Sequence, residues 1–244
     1  MIEVSIKRRE LFARAEIDEM YRLHSQFFNN SRRETFASDF HAKDWVIVVS
    51  EGASIVGFST IAVTESAWKS RELIVLFSGD TIVQPDHWGS NALIPAFGEF
   101  ILYCHEKYPG RRVVWHLISK GYRTYRILPV FFLKFFPCPD SPTPPVVQEL
   151  LDHISFCRFG EQYDKSRGIV SFDGNTDYLC DELAEILEMR KDNRHTRFFL
   201  ERNPGYRQGD ELSCVTDLAM DNIKPLALKM ISRSHATWIS GNSG

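Results

Sequence analysis

Between Arg71 and Leu102 the chain reads RELIVLFSGDTIVQPDHWGSNALIPAFGEFIL, and here residue types and spacing suit chemistry. Gly89 lets a backbone come close to a ligand, and Ser90 and Asn91 are small polar residues able to cap a helix or add donors. Placed at the first turn of a helix, they would join N–H groups without intrahelical partners and the positive end of the helix dipole, a setting that favours phosphate and, above all, pyrophosphate. A plain strand-to-helix connection would use the same residues. Asp80 is a strand-end carboxylate, and Gly79 before it suits a bulge; it serves either chemistry or a neighbouring N–H. His116 carries a side-chain type that can act as a base near neutral pH, with packing in the core as the alternative.

These residues need particular elements to position them. Leu73 to Val83 is rich in β-branched and large apolar residues and reads as a strand. Pro85 to Gly89 supplies turn residues, and a helix is predicted from near Gly89 to about Tyr108, with Pro95 kinking or restarting it. Upstream, residues 10–28 have mostly helical spacing, a shorter helix falls within 29–43, and Trp45–Val49 and Ile55–Thr64 form a hairpin about Gly52. Downstream, Arg112–Ile118 is a buried strand, parallel to its predecessor through a right-handed crossover. The aromatic stretch after Gly121 ends at a proline-rich break, CPDSPTPP. Beyond it the sequence predicts a helix at Val146–His153, a short strand at Ile169–Phe172 and an acidic helix at Asp177–Arg190. A long turn comes next at Glu201–Glu211, then a strand at Leu212–Leu218, a closing helix at Ile223–Ile231 and a mobile SGNSG tail.

Composition narrows the classes. With 29 basic and 32 acidic residues, no global field argues for nucleic acid or an anionic membrane, so an anionic ligand must be held locally. Five singly spaced cysteines and no apolar leader point to a reducing cytoplasm, and no histidine or cysteine cluster has metal-site spacing, so no metal is expected. No apolar run is long enough to span a membrane.

The order of two helices, hairpin, long strand ending in V-x-P, glycine turn opening a helix, strand and tyrosine-bearing helix resembles the GCN5-related N-acetyltransferase (GNAT) superfamily. Val83-Gln84-Pro85-Asp86-His87-Trp88-Gly89-Ser90-Asn91-Ala92-Leu93 is similar to its acyl-CoA motif, V-x-P followed by R/Q-x-x-G-x-G/A, and Ile55-Val56-Gly57-Phe58 to its "I-V-G-F" third strand. Trp88 stands where the family usually has Arg or Gln, Asn91 where it has glycine, and Leu93 where it has Gly or Ala. The resemblance covers about residues 8–136. It implies an α/β (α+β) fold, a mixed, largely antiparallel sheet flanked by helices. Residues 1–136 would form the acyl-CoA-binding core, 137–145 a proline-rich seam, and 146–244 an extension able to complete the same sheet.

The resemblance also implies roles. Backbone groups of Thr81, Ile82 and Val83 would align a pantetheine arm and polarise the thioester carbonyl. Trp88, Gly89, Ser90, Asn91 and Ser119 would hold acyl-CoA, with acetyl or a longer acyl group. Asp80 is placed like a family base and Tyr125, with Tyr122 three residues before it, like its tyrosine acid. The acceptor would be a small-molecule amine or an amino-acid-like compound, and the donor CoA or an acyl carrier protein. Since the loop carries fewer glycines than the motif, a non-catalytic module that binds an acyl thioester or a partner protein is the alternative. Phe131, Phe132, Phe135 and Phe136 read either as a tunnel for a bulky acyl chain or as core.

Overall fold

A computed structural model describes residues 1–90, 92–172, 176–181 and 193–240. Its elements in chain order are β1 (Ile2–Arg8), α1 (Arg14–His24), β2 (Phe28–Asn29), α2 (Arg33–His41), β3 (Trp45–Glu51), β4 (Ser54–Trp68), β5 (Arg71–Val83), α3 (Leu93–Lys107), β6 (Arg112–Ser119), α4 (Tyr122–Tyr125) and α5 (Ile127–Phe131). Then come α6 (Pro145–Phe159), β7 (Tyr163–Asp164), β8 (Ile169–Val170), β9 (Tyr178–Leu179), α7 (Arg194–Arg202), β10 (Glu211–Asp217), α8 (Pro225–Ile231) and β11 (Thr237–Ile239). One sheet runs in the order β11-β1-β3-β4-β5-β6-β10-β8-β7, antiparallel except for the pairs β11–β1 and β5–β6. This is the mixed, largely antiparallel sheet and helix order that the resemblance implies.

Strand alternation divides the core. In β3, Trp45, Ile47 and Val49 face α3, while Val46 and Val48 face α1 and α2, since successive side chains leave a strand on opposite sides. On β5 and β6 the same parity sends Ile74, Leu76, Val113 and Trp115 toward α3 and Leu73, Val75 and Val114 toward α6. At Gly98 the contact between α3 and α8 is so close that a Cβ would lie 2.1 Å from Ile231 Cγ1, so glycine is required there.

Two features of β5 shape the region around its C-terminal end. Its pairing with β4 slips between Ser59↔Thr81 and Ile61↔Ser78, so Gly79 and Asp80 oppose Thr60 alone, a bulge. A Cβ on Gly79 would lie 2.6 Å from Thr60 Oγ1 and 2.7 Å from Lys43 Cε, so only glycine fits beside that fully buried lysine. The pairing of β5 with β6 ends at Ser78↔Leu117. Beyond it β5 stays with β4 and β6 turns to β10, and the sheet opens into a wedge.

The chain departs from its sequence reading in several places. β1 was not anticipated. The helix predicted from Gly89 starts at Leu93, after a 3-10 turn over Pro85–Ser90, and Asn91 lies outside the described residues. Pro95 therefore falls in the first turn, where its missing N–H has no intrahelical partner to lose, and it need not kink the helix. Of the predicted acidic helix, Tyr178 and Leu179 form a strand and 182–190 lie outside the described residues, as do 241–244 of the tail. Part of the predicted long turn belongs to α7. No helix among the described residues is long and apolar enough to cross a membrane.

Candidate functional site

Three adjoining hollows meet where the sheet splays. The first, of about 260 Å³, opens between the end of β5 and α4 and is lined by Ile82, Val83, His87, Trp88, Lys120, Gly121 and Arg123 among others. The second, of about 430 Å³, lies on the α1–α2–α6 side and contains His24, Asp80, Lys120, Arg158, Asp177 and Glu211. A third, of about 60 Å³, lies beneath α3. Thr81, the residue after the bulge, borders all three.

In the first hollow Trp88 Nε1 donates to the Val83 carbonyl at 2.7 Å, and the Arg123 guanidinium carbon sits 3.2 Å from the centre of the Trp88 ring. The indole thus fixes the turn after β5, and its face carries a cation beside the wedge. Lys120 stands on the opposite wall. A positive rim of this kind suits phosphate groups, whereas Leu93 and Ile94 make the inner wall apolar. Gly89 and Ser90 belong to the 3-10 turn beside this hollow.

The second hollow is built around an ion network drawn from distant parts of the chain. The β2–β9 ribbon brings Asp177 to His24, 3.2 Å away, and the bulge brings Asp80 to 3.4 Å from the same imidazole. Lys120 bonds Asp177 at 2.6 Å and stands 3.6 Å from Glu211 at the start of β10. Burial alone would lower the pKa of His24, but the charge of Asp80 and hydrogen bonding to both carboxylates outweigh it and raise the imidazole to about 9. Conversely, burial would raise Asp80 and Asp177, yet the protonated imidazole holds both below the usual carboxylate range, with help from Lys120 at Asp177. Glu211 differs: burial pushes its carboxyl up to about 7, and Lys120 offsets that only in part. One carboxylate near neutrality therefore sits among others that stay ionised.

Arg158 lies at the other end of this hollow. Its guanidinium carbon is 3.6 Å from the centre of the Phe77 ring, and among the described residues no carboxylate comes within ion-pair distance of it. Burial lowers its pKa despite the charges of Asp39 and Asp44. Asp39 is already bound to Lys43.

Other residues singled out from sequence lie elsewhere. His116 shares the parity of Val114 and is buried on the α6 side, between Phe77 and Phe159, with Nε2 3.1 Å from Ser213 Oγ and 3.2 Å from Ser155 Oγ. Burial and the nearby charge of Arg158 push it down to about 3, so it stays neutral and borders none of the hollows. Tyr125 is fully buried and donates to the Pro137 carbonyl at 3.1 Å, and burial raises its pKa. We expect Tyr125→Phe to cost about 1 kcal/mol in urea denaturation, the scale of one hydrogen bond, with catalysis untouched. Ser119 is buried at the β6–β10 junction, and its neighbour Lys120 forms the wall instead.

His24, Asp177, Lys120 and Glu211 were not picked out from the sequence. Only the strand-end position of Lys120, next to Ser119, hinted at one of them.

No protein-family model matches the sequence, and no curated protein matches it. Among solved structures, the chain is similar to an Enterococcus faecalis V583 protein described as a probable N-acyltransferase, with 14% identity and TM-score 0.42 over 54% of this chain and 33% of that one. It is also similar to aminoglycoside N-acetyltransferase AAC(6')-Iy in complex with CoA, with 10% identity and TM-score 0.38 over 52% and 82%. A third is Arabidopsis thaliana NAA60 in complex with acetyl-CoA, with 14% identity and TM-score 0.39 over 55% and 87%. The chain thus spans about a third of the Enterococcus protein, and roughly half of its own length is matched in each case.

Proposed function

We propose that this chain is a GNAT-type N-acyltransferase that moves an acyl group from a CoA thioester to an amine. The observation that supports this most directly is the junction at Thr81, where a cation-rimmed groove, an acid-lined hollow and an apolar chamber share one residue. Such a junction lets a thioester, its acyl group and an acceptor meet at one point.

In this reading CoA lies in the first hollow, its phosphates toward Arg123 and Lys120 and its pantetheine along the splayed edge of β5. Backbone groups of Gly79 to Ile82 on that edge have no β6 partner, so they are free to hold the arm and polarise the thioester carbonyl. Asp80 and Asp177 remain ionised and attract the acceptor's ammonium. They are too weak as bases to deprotonate it near neutral pH, whereas Glu211, near 7, is matched to the task. The ammonium gives one proton to Glu211, and the freed amine nitrogen bonds to the carbonyl carbon. The carbon–sulfur bond then breaks as the nitrogen's second proton passes to the departing sulfur, so CoA leaves as the thiol.

Arg158 narrows the acceptor. A guanidinium stacked on an aromatic ring, with no carboxylate partner among the described residues, suits the bidentate geometry of a carboxylate. The acceptor is then an amino-acid-like compound, its amine at Asp80 and Glu211 and its carboxylate at Arg158. We expect Arg158→Met to raise KM for carboxylate-bearing amines by about 10- to 100-fold, the worth of a charge-assisted hydrogen bond, and to leave uncharged amines unaffected. Equal effects on both classes would remove this role.

The transfer reading itself is tested by following thiol release from acetyl-CoA and longer acyl-CoAs across an amine panel, alongside thermal shifts with each thioester. Amine-dependent release supports it. Stabilisation by thioesters without release would favour the non-catalytic module, and absence of both would end the CoA reading.

A further inference from the structure

The space beneath α3 is apolar: Leu93 and Phe97 of α3, Trp115 of β6, Phe131 of α5, and Ala227 and Ile231 of α8 contribute to its lining, with further residues from β3, β4 and β5. Its polar neighbours are satisfied by one another, Ser59 Oγ with Thr81 Oγ1 at 2.8 Å and Trp115 Nε1 with Ser78 Oγ at 2.9 Å. Nothing there recruits water, and an apolar hole of this kind stays dry. It shares Thr81, Leu93, Ile94 and Ile127 with the groove assigned to pantetheine, so the two adjoin where the thioester carbonyl would lie.

We infer that this chamber takes the tail of the transferred acyl group, and that the donor is a straight-chain acyl-CoA longer than acetyl. The inference rests on the acyl-transfer reading. A water-sized group needs about 10–15 Å³ of free space, and the chamber offers about 60 Å³. It therefore holds roughly four to six water-sized groups beyond the carbonyl, a tail of about hexanoyl length. Helix α8 contributes Ala227 and Ile231 to its wall, which gives the C-terminal segment a role in choosing the donor. Of the aromatic run read from sequence as tunnel or core, Phe131 and Phe132 reach the chamber and Phe135 and Phe136 do not.

The test is kcat/KM and thermal-shift affinity for acetyl-, butyryl-, hexanoyl- and decanoyl-CoA on the full chain and two variants. Affinity should rise about 4-fold per methylene, the scale of burying one CH₂, as far as hexanoyl and then fall. Ala227→Leu fills the chamber and should lower the hexanoyl-to-acetyl ratio by at least about 10-fold. Phe97→Ala enlarges it and should move the optimum toward decanoyl, which keeps the test open if Ala227→Leu fails to fold. Turnover of acetyl-CoA with longer donors rejected, or ratios unchanged in both variants, would overturn the chamber while leaving acyl transfer standing. No binding or turnover of any thioester would overturn the transfer reading and the chamber with it.

Discussion

Glu211→Gln should lower kcat by about 10³-fold, within the 10²–10⁴ range of general-base catalysis, while acyl-CoA binding by thermal shift stays as in the parent chain. The side chain keeps its shape and loses its ability to accept a proton. Folding should tolerate the change, since Lys120 retains its 2.6 Å bond to Asp177 when the charge at Glu211 is gone. The pH profile carries a second readout. Activity in the parent should climb as pH rises through about 7, as burial-raised Glu211 gives up its proton, and this acid limb should vanish in the variant. A variant with full turnover and an unchanged limb would clear Glu211 and direct attention to Asp80, whose pKa is held below the ordinary 3.8 and predicts a limb in that acid range.

The central strand and bulge were legible in the sequence because they depend on local chemistry. Leu73 to Val83 carries β-forming residues, and Gly79 marks the one place where a side chain would strike Thr60 and Lys43. The hairpin of β3 and β4 and the parallel crossover to β6 arise from the same kind of signal. β1 escaped because IEVSIKR buries only Ile6, so its apolar alternation is weak, and its pairing partner β3 lies far along the chain.

The site was less legible, for a physical reason. Asp80 was found from its strand-end position, but its partner Asp177 arrives through the short pairing of Phe28–Asn29 with Tyr178–Leu179, which no local pattern encodes. Asp177 reads as the opening of an acidic helix and Glu211 as the end of a turn, because acidic residues in such positions usually lie in solvent. Their burial depends on β9 and β10, long-range contacts each. For His116 the failure runs the other way: residue type suggests a base, whereas strand parity turns it toward α6 and two serine hydroxyls. Parity was available from sequence, but which face would hold the hollow was not. The loop read from sequence as a phosphate site is displaced by one turn, since the helix begins at Leu93 rather than at Gly89.

The His24 network should dominate the stability of the wedge, and its sign can be worked out. The folded-state pKa of His24 is raised from 6.5 to about 9, so its stabilisation is fully present below pH 6.5 and is lost as pH rises through 9. The imidazole is 5% exposed, so solvent screening discounts little, and a shift of this size corresponds to about 3 kcal/mol. Asp80 and Asp177 show the same contacts from the other side: their depressed pKa values give stability present above the ordinary 3.8 and lost as pH falls below it. In urea denaturation of the parent, His24 should therefore account for a loss of about 3 kcal/mol between about pH 6 and 9.5, on top of the smaller loss from Glu211 near pH 7. His24→Leu should be less stable than the parent at about pH 6 by roughly 3–5 kcal/mol, because two half-buried carboxylates lose their cation. Over the same pH range the variant should keep only the smaller fall, complete by about pH 8, that comes from ionising the burial-raised Glu211, and the two stability curves should converge as the parent's imidazole deprotonates. If the variant instead fell in parallel with the parent, another group would carry the pH dependence, and Asp80 and Asp177 would have to be held by Lys43 and Lys120 alone.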